Sequence, residues 1–212
     1  MGITERKERE KEQRRNDIID AAERIFFKKG FENATMDEVA EEAELSKGTL
    51  YLYFKSKEDI QFALSRRGAD MLAEMIRKNL SPDKSGYKNL LEMAEVFTGF
   101  SKKYSNYFKL FLYFQTSNMD DLKIDKAAVE KYLTEQSPLA RVNECIRKGI
   151  KDGSLRDDIS VEVFGATLWS QMMGVLVVIE NKRDLYGMFG VKEEEILKTH
   201  LELVSHGGLK RR

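Results

Sequence analysis

Two helix starts crowd the stretch between Thr35 and Phe54, and they constrain this chain more than any other feature. "TMDEVAEEA" opens on Thr35 with Glu38 three residues on, a pairing in which each side chain satisfies the other's backbone amide. Met36, Val39, Ala40 and Ala43 then supply a short apolar face, only about two turns at ~3.6 residues per turn. Glu44 to Ser46 interrupt the pattern, and Ser46 is placed to cap a second short helix. A short helix, a tight turn and another short helix make a helix-turn-helix. Upstream, Ile18, Ala21, Ala22, Ile25 and Phe26 fall on one face of a first helix, which Gly30 is placed to end. Downstream, Ser56 and Asp59 open a long helix running through Ile60, Leu64, Met71 and Met75 to about Leu80, where "SPDKSG" breaks it.

The rest of the chain extends the helical reading. Apolar residues make up 42% and charged residues 34% of 212, with two prolines, which favours long helices over a strand-rich sandwich. We expect an all-α protein of about nine helices: a charged arm over 1–15, a helix-turn-helix domain over 16–60, a larger helical domain over 61–206 reached by a fourth helix that bridges the two from about residue 57, and a tail over 207–212. The arm alternates charges without an apolar period, so either disorder or a frayed helix is expected. One cysteine excludes an intramolecular disulfide framework, and two histidines leave no zinc cluster, so neither metal nor cofactor is expected. No uninterrupted apolar run of ~18 residues is found and the N-terminus is charged, so membrane-span and signal-peptide readings fail and a cytoplasmic location is expected.

The segment "SKGTLYLYFKSKEDI" carries the functional signal. On a helical wheel Leu50 and Phe54 share one face, while Gly48, Thr49 and Leu52 point the opposite way, with Tyr51 and Tyr53 on the flanks. Lys47, Lys55 and Lys57 add charge, and no acid occurs from Leu45 to Lys57. An outward leucine between two tyrosines is wasteful on a solvated helix. It suits DNA, where leucine can meet a thymine methyl, tyrosine and lysine can reach phosphates, and Gly48 admits close approach of backbone to duplex.

The same residues carry a resemblance. "TMDEVAEEAELSKGTLYLYFKSKEDI", preceded by "AAERIFFKKGFENAT", resembles the DNA-binding region of the tetracycline-repressor (TetR) family of bacterial regulators over roughly residues 18 to 64. Glu44-Leu45 departs from it, since Gly-Val is more usual at that turn. The resemblance implies phosphate contacts from Thr35, Tyr53 and Lys57, a groove-facing set of Lys47, Gly48, Thr49, Tyr51 and Leu52 beginning at Ser46, and an operator of two-fold symmetry. Residues 1 to 57 hold twelve Lys/Arg against thirteen Asp/Glu, so positive charge must be segregated onto one face, with Glu38, Glu41, Glu42 and Glu44 off the duplex.

A single short recognition helix reads few base pairs, so such proteins usually bind as two-fold dimers. The last two helical segments are the candidates for that contact. Phe164, Leu168, Gln171, Val175 and Val178 form one stripe; Ile196, Leu197, His200, Leu201 and Val204 mark the final helix. They either cover the protein's own core or meet a second copy, and their apolar surface exceeds what one copy's remaining elements can cover. Met71, Met75, Phe97, Phe100, Tyr104, Phe108, Phe111, Tyr132, Trp169, Met172 and Met173 suggest either plain core or the lining of a pocket for a small apolar or amphipathic effector. Lys57 and Met75 lie on one helix, so an effector that tilts it would alter DNA binding. The expected function is thus a ligand-responsive transcriptional regulator, most simply a repressor, binding double-stranded DNA as a homodimer and not an enzyme. Rivals are a regulator of the same fold controlled by a protein partner, and a helical enzyme or carrier, for which no catalytic constellation is found.

Overall fold

A computed structural model of the chain describes residues 2–116 and 137–209. The described residues form nine helices: α1 Ile3–Lys29, α2 Met36–Glu42, α3 Lys47–Tyr53, α4 Lys57–Asn79, α5 Gly86–Lys103, α6 Ser105–Thr116, α7 Pro138–Lys151, α8 Val161–Met188 and α9 Glu193–Gly208. The described residues divide into two compact units: 2–68 with 106–116, and 69–105 with 137–209. The division falls within α4, the bridging helix, and assigns α6 to the N-terminal unit. Tyr132 lies outside the described residues, so its place near a pocket is not defined.

In the N-terminal unit, Ile18, Ala22, Val39, Leu50, Ile60 and Leu64 are fully buried and hold α1 to α4 together. One polar cluster ties three helices: Arg67 on α4 is 2.7 Å from Asp20 and 2.8 Å from Glu23 on α1, and the buried Tyr107 of α6 donates its hydroxyl to Glu23 at 2.6 Å. Burial, with the Glu23 hydrogen bond, pushes the Tyr107 phenol up, so it stays a donor. Gly68 makes room for that ring, since a Cβ there would sit 2.8 Å from Tyr107 Cδ1.

Of the two readings of the arm, the structure has the helix. Residues 3–15 are helix, continuous with the rest of α1. Glu5 accepts from the Gly2 amide, Arg6 pairs with Glu10 at 2.7 Å and Gln13 donates to Asp17 at 2.9 Å, all at helical spacing. Interleaved charge therefore supports a helix that an apolar count cannot detect.

In the C-terminal unit, α5 and α7 approach most closely at Gly86. Its amide donates to Asp152 Oδ2 at the end of α7 (2.8 Å), and the Tyr87 amide donates to Ser154 Oγ (3.2 Å). Residues 161–182 of α8 are long and apolar enough to cross a bilayer, although charges interrupt the run, with mean hydropathy 1.5 and about a third of the stretch buried. That exposed apolar surface needs a cover.

Candidate nucleic-acid interface

The geometry of α2 and α3 follows from their caps. Thr35 Oγ1 accepts from the Glu38 amide (3.3 Å) while Glu38 Oε2 accepts from the Thr35 amide (3.0 Å), and Ser46 Oγ accepts from the Thr49 amide (3.1 Å). Thr49 is further held by a 2.8 Å hydroxyl contact with Ser46, so both start α3 and point where the cap aims them. Between the helices the Leu45 amide donates to the Ala40 carbonyl (2.9 Å) and the Glu44 amide to that of Glu41 (3.0 Å). That closure puts Glu44 at φ 55°, a left-handed conformation that favours glycine. The unusual residue therefore keeps the turn and strains it. Glu44→Gly is expected to stabilise the fold by ~1 kcal/mol, read as a rise in the thermal midpoint of the unfolding curve.

The outward face of α3 is as the wheel predicts. Leu50 and Phe54 are buried, Leu52 is 76% exposed, Tyr51, Gly48 and Lys47 are exposed, and Tyr53 is half-buried. Gly48 is informative because a Cβ there would meet only Ser46 Oγ, at 3.9 Å. Nothing in the unit requires glycine at this position, and glycine weakens a helix by ~0.5–1 kcal/mol relative to alanine. Glycine here leaves the outward face of α3 open at its first turn.

Three acids near this face are paired within the unit. Lys29 pairs with Glu38, Arg24 with Glu42 and Lys47 with Asp37 (2.7 Å). The Lys29 hydrogen bond, with the Thr35 amide, lowers the Glu38 pKa, and the Asp37 hydrogen bond raises that of Lys47.

Lys57 is placed otherwise than as a plain phosphate ligand. Its three ammonium N–H groups meet the carbonyls of Phe31 (2.9 Å), Glu32 (3.3 Å) and Ala34 (3.0 Å), and Nζ lies 4.4 Å from the Phe31 ring centroid. It clasps the α1–α2 loop. Lys57→Met is expected to destabilise the N-terminal unit by ~2 kcal/mol, because charge-assisted hydrogen bonds of this kind contribute ~1.5–3 kcal/mol, and urea unfolding would register it in the absence of DNA.

A second site lies in the C-terminal unit. A cavity of about 100 Å³ is enclosed by Ile76 of α4, Tyr87 to Phe97 of α5, Pro138 and Val142 of α7, Leu155, Phe164, Leu168, Trp169 and Met172 of α8, and His200, Leu201, Val204 and Ser205 of α9. Of the expected pocket residues it gathers Phe97, Trp169 and Met172. Phe100 and Met173 are buried in the same unit but not around this cavity, Met71, Met75 and Tyr104 are half-buried outside its lining, and Phe108 and Phe111 are core of the N-terminal unit. His200 gives the cavity an imidazole with no hydrogen-bond partner among the described residues, and burial lowers its pKa, which favours the neutral ring.

The expected dimer stripe is divided. Phe164 and Leu197 are buried, Leu168, His200, Leu201 and Val204 face the cavity, Val175 and Ile196 are half-buried, and Gln171 and Val178 point outward. The outward face of α8 runs instead through Val163, Ala166, Thr167, Ser170, Gly174 and Val178, with Leu203 of α9 also 71% exposed. Small and apolar residues at helical spacing make a flat surface.

The fold and the exposed α3 define a helix-turn-helix regulator of transcription. Residues 18–64 match the family described as bacterial regulatory proteins, tetR family. The chain is 31% identical over 100 residues to the transcriptional activator FasR of Mycolicibacterium smegmatis, covering 47% of this chain and 46% of that one. It is 25% identical over 163 residues to the transcriptional repressor AcnR of Corynebacterium glutamicum, covering 76% of this chain and 79% of that one. Among solved structures, FadR of Thermus thermophilus, a TetR-family repressor in complex with lauroyl-CoA, superposes with a TM-score of 0.68 at 24% identity over 93% of this chain and 96% of that one. A putative TetR-family regulator of a Shewanella species superposes with a TM-score of 0.69 at 16% identity over 93% and 99%. Residues 18–64 thus match the DNA-binding region of the TetR family, and the relatives and solved structures the chain resembles are named as regulators of transcription.

Proposed function

We propose that the protein is a cytoplasmic homodimeric repressor, which holds a palindromic operator through α3 and releases it when a small, largely apolar effector enters the C-terminal unit. The observation that carries the DNA half is Leu52, exposed at 76% on a capped helix with no partner of its own. Thr35, Ser46, Lys47, Gly48, Thr49, Tyr51, Leu52 and Tyr53 are the contact set, with Lys57 supporting the loop behind them. The effector half rests on the cavity. At about 100 Å³ it holds only part of a ligand of ordinary size, since drug-sized sites occupy ~300–1,000 Å³, so occupancy must move adaptable side chains such as Met93 and Met172. The bound lauroyl-CoA of the Thermus FadR makes an acyl chain the first ligand class to try. Trp169 is the chain's single tryptophan and lines the cavity, so its emission should saturate on titration with acyl-CoAs of increasing length, and the same concentrations should dissociate the operator complex. A flat emission signal with unchanged DNA affinity would count against the effector class.

The outward face of α8, an apolar helix with a row of exposed residues, is assigned to the second copy. Gly174→Arg, at an exposed position with open space around it, is expected to give a folded monomer in sedimentation and to abolish specific operator binding. Retention of operator affinity by such a monomer would refute the dimeric reading.

A further inference from the structure

The first four turns of α1 are not needed to build the helix-turn-helix. Residues 4–14 are all exposed, and the first fully buried side chain is Ile18. At a rise of ~1.5 Å per residue the segment from Ile3 to Arg15 extends roughly 18 Å.

Its charge looks mixed in order along the chain and sorts in space. Residues 2–15 hold six Lys/Arg and four Glu. Arg6 is paired with Glu10 and Glu5 with the Gly2 amide. Lys7, Lys11 and Arg14 stand at i, i+4 and i+7 and have no acidic partner among the described residues. Ile18 and Ala22 continue the same row, both at 0% exposure against the other helices of the N-terminal unit. The three cations therefore lie on the side of α1 that faces the helix-turn-helix, but beyond it, while Glu8 and Glu12 occupy the adjoining row. Arg15 marks the junction, its guanidinium lying 4.9 Å from the centroid of Phe54, the residue that ends α3.

We propose that Lys7, Lys11 and Arg14 form a phosphate rail that grips the DNA backbone beside the half-site read by α3. The row spans ~10 Å of helix, a length over which one strand of B-DNA, at ~3.4 Å per phosphate, presents about three phosphates. Contacts of this kind add affinity and fix register without reading sequence. An exposed stretch keeps these three cations without an acidic partner among the described residues. The proposal rests on the DNA-binding reading of α3.

The test uses the full-length protein and the triple variant K7Q/K11Q/R14Q, in which glutamine preserves helix propensity. A control, K78Q/K88Q/K151Q, makes the same change in net charge on exposed lysines of the C-terminal unit. Binding to a random-sequence duplex of roughly 40 base pairs is followed by anisotropy from low to moderate salt. The arm variant should bind at least ~10-fold more weakly at low salt, and its slope of log K against log salt should flatten by about 2.7 per protomer, while the control matches the natural protein. The preference for operator over random duplex should be unchanged. An arm variant with the natural slope, or a control that loses as much, overturns the rail. A natural protein with no operator preference sinks the reading of α3, and one that binds no duplex at all sinks both.

Discussion

Leu52→Glu is expected to remove operator binding by more than ~100-fold and leave the fold intact. The side chain is exposed and packs on nothing, so its exchange has no cavity or strain to create. On DNA the change removes an apolar base contact, worth ~1–3 kcal/mol of discrimination, and sets a carboxylate among phosphates. A two-fold dimer suffers the loss twice, which places the total beyond ~2.8 kcal/mol, or two decades. Gel shift on the operator and thermal melting together check it. An unchanged gel shift with an unchanged melt would show that α3 does not enter the groove.

Gly86→Ala should have the largest effect on stability, without touching either site. A Cβ at Gly86 would fall on the backbone nitrogen of Gly149 and the carbonyl oxygen of Cys145, and backbone cannot rotate away as a side chain can. The junction of α5 and α7 would have to part, losing the hydrogen bonds to Asp152 and Ser154. Overpacking alone costs ~1–3 kcal/mol, and with these bonds the loss should reach at least ~3 kcal/mol. Denaturation followed by Trp169 emission reports on this unit, and its midpoint should drop sharply. An unaltered midpoint would mean that α5 and α7 do not meet as described.

What was legible in the sequence was local. Thr35 with Glu38, Ser46 and Gly30 announce helix ends because caps are built from near neighbours, and the outward set of α3 follows from one period over seven residues. The exceptions share a cause. α8 is apolar nearly all round, so no periodicity separates Phe164, which faces in, from Val163, which faces out. The aromatic stripe of α5 and α6 correctly marks burial, yet burial does not say which unit a ring joins, and Phe108 and Phe111 went with the DNA-binding unit. His200, assigned to a dimer helix from its segment alone, lines the cavity because α9 turns that side toward α5 and α8. Lys57 shows the same limit for a polar group, since carbonyls more than twenty residues away in the chain claim its three protons. At Glu44 the departure from the family pattern was visible, and its consequence, a non-glycine residue at positive φ, needed the backbone angle.

The most direct test of the central claim is an anisotropy titration of the purified protein against DNA fragments from upstream of its own gene, repeated across a salt series and with Leu52→Glu alongside. The account predicts saturable binding of two protomers to one palindrome, a steep negative salt slope, and loss of that preference in the variant. Equal binding to every fragment by both proteins would contradict it.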